Sequence, residues 1–89
     1  MTYSLETKQE FDGDYAKRCR KNEGFRRTVD KKIQQIIENP LHYNPLQWPM
    51  GGLRRVHIMG SFVLTYKVEE NLKKVVLFSL KPHDEAYGR

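Results

Sequence analysis

The groups best suited to chemistry crowd the end of this chain. Lys81, His83, Asp84, Glu85 and Tyr87 follow directly on the apolar run Val75-Val76-Leu77-Phe78-Ser79-Leu80. An ammonium, an imidazole, two carboxylates and a phenol thus arrive almost together. Packing a small fold does not require that set, whereas a site for an anionic substrate can use every member of it. An imidazole exchanges protons near neutral pH, a cation neutralises anionic charge, and an aromatic ring stacks on a planar ligand. Upstream, His57 stands in the run Arg54-Arg55-Val56-His57-Ile58, 26 residues before His83. Ordinary roles fit the same residues. A strand histidine is commonly a half-buried polar group, His83 can cap a turn with Asp84, Tyr87 can plug the chain end, and His42 reads as a loop residue. Adjacent carboxylates point apart on an extended chain, so Asp84 and Glu85 suit a shared ion poorly and no metal site is expected.

These residues need elements to position them. Tyr3-Ser4-Leu5-Glu6-Thr7 alternates apolar and polar, which predicts a short strand. Phe11, Tyr15 and Cys19 recur every four residues and mark one face of a helix from Glu10 to about Asn22. A break is expected at Glu23-Gly24. Phe25, Val29, Ile33, Ile36 and Ile37 then form the apolar stripe of a second helix ending at Glu38. Asn39-Pro40 stops it, because proline cannot continue a helix and restricts the residue before it. Residues 40–52, with three prolines and Gly51-Gly52, read as a loop that tucks Leu46, Trp48 and Met50 against the core. Strands are predicted at Leu53–Met59, Phe62–Val68 and Lys74–Leu80, with turns at Gly60-Ser61 and Glu69-Glu70-Asn71. The last strand is apolar at both parities in its middle, which predicts cover on both faces. The order is β-α-α-β-β-β. Its simplest layered solution is an α+β fold, with two N-terminal helices packed on a small, mostly antiparallel twisted sheet.

Composition narrows the function classes. Eighty-nine residues, 38% hydrophobic and 30% charged, make one domain spanning 1–89. One cysteine, Cys19, excludes an intramolecular disulfide framework and a cysteine-rich zinc site. It reads as a packing residue in a reducing compartment. No apolar run approaches the roughly 18 residues that a membrane span needs. No signal-peptide core is evident, so a cytoplasmic protein is expected. The net charge is +5, and residues 17–32 hold eight of the sixteen basic residues, offset only by Glu23 and Asp30. Such a segment favours nucleic acid or an acidic protein partner, although it also fits a solvated helix face.

With that element order, several local motifs resemble the RelE/ParE toxin superfamily over nearly the whole length. They are Glu38-Asn39-Pro40, the Pro45-Leu46 loop, Gly52-Leu53-Arg54-Arg55, Gly60-Ser61-Phe62 leading into Leu64-Thr65-Tyr66, and the tail His83-Asp84-Glu85-Ala86-Tyr87. The tail is similar to the His-x-x-x-aromatic ending of the RelE and YafQ branches. The resemblance implies a cytoplasmic toxin held silent by an antitoxin protein. It also implies cleavage of mRNA in the ribosomal A site, or poisoning of DNA gyrase in the ParE branch. By position, Tyr87 matches the C-terminal aromatic that engages substrate and His83 a catalytic histidine of the YafQ-like branch. Lys81 falls where the RelE branch has a catalytic arginine. His57 matches a strand histidine of the YafQ-like branch, and Arg55 fits a strand cation of the RelE branch. Ser61-Phe62-Val63 departs from the RelE pattern, which carries an arginine there. That leans the site toward the histidine-based variant, or toward a member that only binds RNA or antitoxin.

RNA cleavage by transesterification needs a base for the 2′-hydroxyl, cations for the phosphorane and an acid for the leaving 5′-oxygen. His57 and His83 can supply base and acid. Arg54, Arg55 and Lys81 can supply cations, and Tyr87 can stack on an unpaired base. The basic segment 17–32 is expected to dock on ribosomal RNA. Trp48 and the second helix are expected to receive the antitoxin. No cofactor or small-molecule ligand is expected.

Overall fold

The computed structural model describes residues 2–42 and 52–86, so Tyr87, Leu46, Trp48 and Met50 lie outside the described residues. The elements are β1 (Ser4–Thr7), α1 (Gln9–Cys19), α2 (Glu23–Glu38), β2 (Leu53–Ile58), β3 (Phe62–Glu69), β4 (Lys74–Pro82) and a single-turn α3 (His83–Ala86). A 3-10 turn, Glu70–Leu72, links β3 to β4. The sheet order is β1-β4-β3-β2. β2, β3 and β4 form an antiparallel meander, and β1 pairs in parallel with β4. The α+β class and the two N-terminal helices are as expected.

Several boundaries differ, each for a local reason. α1 ends at Cys19, and α2 starts at Glu23 because the Asn22 side chain accepts the Phe25 N–H and caps it. The expected break at Glu23-Gly24 is therefore the first turn of α2. At its far end, the Asn39 N–H donates to the Gln35 and Ile36 carbonyls, and Pro40 then ends the helix. The β2–β3 turn centres on Met59 and Gly60, with φ of 55° and 74°, rather than on Gly60-Ser61. Two left-handed residues in succession match the right-handed twist of the strands they join. β4 runs on to Pro82, and α3 was not foreseen, since four residues leave no periodicity to read.

The core lies between the helices and one sheet face. Phe11 and Cys19 of α1 and Phe25, Val29 and Ile36 of α2 pack against Val56, Ile58, Leu64, Tyr66, Val75, Leu77 and Leu80. Each large aliphatic group so buried contributes roughly 1.5–3 kcal/mol. Val63, Thr65 and Val76 are buried at the other parity, so the two central strands are covered on both faces. Tyr66 is fully buried, and its hydroxyl donates to the Pro40 carbonyl at 2.8 Å, tying the end of α2 to the sheet.

The β4 register carries the feature that matters most for the site. Thr65 pairs with Ser79 but Tyr66 with Leu77, so Phe78 is an extra residue, a β-bulge. The bulge switches parity. Val75 and Leu77 face the core before it and Leu80 after it, which leaves Lys81 on the opposite face.

Two outcomes are expected. Met59→Asn should stabilise the fold by up to about 1 kcal/mol, because asparagine tolerates the left-handed region better; a raised thermal midpoint checks it. Tyr66→Phe should cost about 1–3 kcal/mol by orphaning the buried Pro40 carbonyl, read as a lower urea midpoint at an unchanged slope.

Candidate functional site

Strand pairing sets up one face of the sheet. His57 of β2 stands opposite Val63 of β3, which stands opposite Lys81 of β4. One step along the same face, Arg55 stands opposite Thr65, which stands opposite Ser79. His57 is exposed, since alternation puts it opposite to the core residues Val56 and Ile58. β4 then ends at Pro82 and the chain turns into α3. The His83 N–H donates to the Ser61 carbonyl at 2.8 Å, which pins the start of α3 to the β2–β3 turn. The two imidazoles are thereby brought together. Their ring centroids lie 5.7 Å apart with 25° between the planes, a stacked pair. The first and last strands of the meander do share one sheet end, and the histidines meet there.

Lys81 reaches back over the strand edge rather than standing free. Its ammonium lies 2.9 Å from both carboxylate oxygens of Asp14 and 3.1 Å from Glu10. The hydrogen bond with Asp14 raises the Lys81 ammonium above the usual lysine range, against the opposing effect of burial, and Glu10 adds to the rise. Arg54 shares the parity of Val56 and Ile58 and so projects to the helix side, away from His57. The Glu70 carboxyl is held below its ordinary range by a hydrogen bond from Tyr3, then by one from Lys73, with Arg54 adding a smaller pull. Of the residues singled out by sequence, His57, His83, Lys81 and Arg55 thus share one face. Arg54 does not, and Tyr87 lies outside the described residues.

Sequence reasoning passed over a polar stripe on α1. Glu10, Asp14 and Arg18 repeat every four residues, one position behind the apolar stripe Phe11, Tyr15 and Cys19. Asp14 is buried, and its Oδ2 accepts the backbone N–H of Leu80 at 3.0 Å. Arg18 donates from Nε to the Leu80 carbonyl at 2.9 Å and lies 3.9 Å from Glu85 of α3. Its guanidinium stands over the Phe62 ring, 5.4 Å from the centroid, while Phe25 of α2 packs against the same ring at 4.9 Å. The four-residue spacing was the available signal. An acid and a base at that spacing read equally well as a solvated helix pair.

Elsewhere, an apolar groove of about 420 Å³ runs between β1, α1 and α2, lined by Leu5, Phe11, Tyr15, Ile33 and Leu77 with Asp12 and Asp30. It holds none of the site residues named above. The histidine pair is a surface feature, suited to a polymer that lies across it. Among the described residues, no three of His, Cys, Asp and Glu converge as a metal site. No described helix is long and apolar enough to cross a membrane.

No family model matches the chain. The candidate toxin RelE4 of Methanocaldococcus jannaschii is 34% identical over 87 residues, covering 98% of this chain and 93% of that protein. This chain belongs to the RelE/ParE toxin superfamily. The fold agrees with solved members. The toxin–antitoxin complex RelBE2 of Mycobacterium tuberculosis superimposes with a TM-score of 0.78 at 16% identity, over 93% of this chain and 100% of that one. YafQ of E. coli does so with a TM-score of 0.77 at 21% identity, over 97% and 99%. Just after the β2–β3 hairpin, in the segment Ser61-Phe62-Val63 that departs from the RelE pattern, Phe62 carries the α1 guanidinium of Arg18 above its ring.

The Lys81 pair has a pH signature. Its folded pKa is raised, so the stabilisation is complete below about 10.5 and is lost as pH climbs through the folded value. The stability difference between wild type and Lys81→Met should therefore hold steady up to about pH 10.5 and shrink as pH rises above it. Urea unfolding of both proteins on either side of that pH checks it. A difference that grows with pH would reverse the sign.

Proposed function

We propose that this chain is the toxin of a toxin–antitoxin pair. It inhibits translation by cutting mRNA on the ribosome, without a metal ion. The observation that carries this reading is the stacked His57–His83 pair, exposed residues brought together from two separate elements. In the reaction one imidazole takes the proton of the 2′-hydroxyl. The 2′-oxygen attacks the phosphorus, the bond to the 5′-oxygen breaks, and the other imidazole protonates that oxygen as it leaves. The products are a 2′,3′-cyclic phosphate and a free 5′-hydroxyl. Two imidazoles suit this because one acts as base while its neighbour acts as acid.

Arg55 supplies positive charge on the same face, against the charge that develops on the phosphorane. Lys81 adds its charge from the β4 side while tethered to Asp14 and Glu10. Tyr87, one residue beyond α3, is assigned to stack on the base next to the cut. The basic helices dock on ribosomal RNA in the cytoplasm, where translating ribosomes are. An antitoxin holds the protein silent. Support for that partner comes from the complexes in which solved members of the fold are found. The apolar groove beside the open edge of β1, where Leu5 is 46% exposed, offers such a chain a seat apart from the histidines.

Purified protein is assayed on mRNA with and without translating ribosomes. Cleavage is expected only with ribosomes. Losses of about 10²–10⁴-fold are expected in His57→Ala and in His83→Ala. Cleavage of free RNA would remove the ribosome from the mechanism. Intact RNA in both cases, with the protein folded, would sink the nuclease reading and favour a gyrase poison of the ParE kind. In cells, His83→Ala combined with Tyr87→Ala should relieve growth inhibition, and full toxicity of that double variant would remove both residues from the site.

A further inference from the structure

The histidine pair is built from two separate elements. His57 sits inside β2, hydrogen-bonded along a strand. His83 opens the one-turn helix α3, which follows directly on β4. Its own N–H is tied to the Ser61 carbonyl. On one edge β3 holds the residues before it, Lys81 and Pro82; on the other edge the chain is held by α1.

β1 ends at Thr7, opposite Leu77, and the Lys8 N–H to the Leu77 carbonyl is the last backbone bond on that edge. After the bulge, both backbone groups of Leu80 point to this vacated edge. The Asp14 carboxylate accepts the N–H, and the Arg18 Nε–H donates to the carbonyl. One acceptor and one donor, four residues apart on a helix, take the place of the two bonds that a neighbouring strand would have made. Arg18 then extends to Glu85, past His83. α1 therefore grips the chain three residues before His83 and two residues after it.

We propose that Asp14 and Arg18 are positioning residues of the histidine site. They stand in for the missing strand along β4 and so fix where the His83 ring lies against that of His57. Neither need touch substrate. The effect on cleavage rests on the function proposed above, but the effect on ring geometry does not.

The test reads the rings directly. Side chains of the whole protein are followed by NMR, and the nuclear Overhauser contact between the His57 and His83 rings is measured. Asp14→Ala and Arg18→Met should each abolish or strongly weaken it, while amide shifts in β1, α2 and residues 74–77 stay in place. Asp14→Asn keeps an acceptor for the Leu80 N–H and should restore the contact. If Asp14→Ala does not fold, Arg18→Met and Asp14→Asn decide by the same readout. On ribosomes, kcat should fall about 100-fold in Asp14→Ala and be restored in Asp14→Asn, the scale expected for a displaced catalytic group. A full ring contact in Arg18→Met with an intact fold overturns the proposal. So does its loss in Asp14→Asn as complete as in Asp14→Ala, which would transfer the role to the Lys81 ion pair. If wild type cuts no RNA, the nuclease reading fails, and the ring contact alone decides the positioning role.

Discussion

Beyond Leu77 one edge of β4 has lost its neighbouring strand, and the geometry of the site depends on how that loss is made good. Buried backbone N–H and C=O groups must find partners, since an unmade bond costs about 1–3 kcal/mol per group. A longer β1 would have satisfied them with its own backbone. It would also have pushed α1 away from the sheet end. Here β1 is four residues long, and α1 follows almost at once and covers the edge with side chains. The cost is a buried carboxylate, Asp14, which is tolerable because it receives a backbone N–H and a lysine ammonium together. The gain is that a charged network reaches from the first helix to the last.

The bulge at Phe78 is the second half of the same arrangement. A regular strand continuing the parity of Val75 and Leu77 would turn residue 81 toward the helices and residue 80 away from them. The lysine would then meet the core, and Leu80 would sit on the face away from the helices. One inserted residue reverses both, and it also turns the Leu80 backbone toward α1. Bulges re-aim the residues that follow them. In this chain the re-aimed segment is the one that ends in His83.

Local order was legible in the sequence, and pairing was not. The α2 stripe of Phe25, Val29 and Ile36 and its stop at Pro40 follow from spacing and from the ring of proline, and both are found. The meander follows from alternation and turn residues. The parallel partner of β1 lies some 70 residues downstream, and nothing in Ser4-Leu5-Glu6-Thr7 names it. The bulge was hidden for a related reason. Val75-Val76-Leu77-Phe78 is apolar at every position, so no parity break shows. The two histidines were legible as candidates, but their meeting depends on the register His57–Val63–Lys81, which only pairing fixes. Arg54 and Arg55 illustrate the converse. Neighbours in a strand point to opposite faces, so only one of them can join His57.

The charge of the chain acquires a direction once these contacts are known. Arg26 is bound to Glu23 at 2.6 Å and lies 3.9 Å from Asp30, and Arg27 also approaches Glu23, so part of the basic segment is offset within α2. Lys81 is likewise offset by Asp14 and Glu10. The exposed cations Lys17, Arg20 and Lys21 cluster at the end of α1 and its junction with α2. That junction lies at the end of the sheet that carries the histidines, because Arg18 and Phe25 both touch Phe62, the residue that opens β3. Exposed like charges at one end of a small domain set up a field that concentrates polyanions there. The Arg18 bond to the Leu80 carbonyl thus joins the helix that carries Lys17 and Arg20 to the sheet end at which His57 and His83 stack.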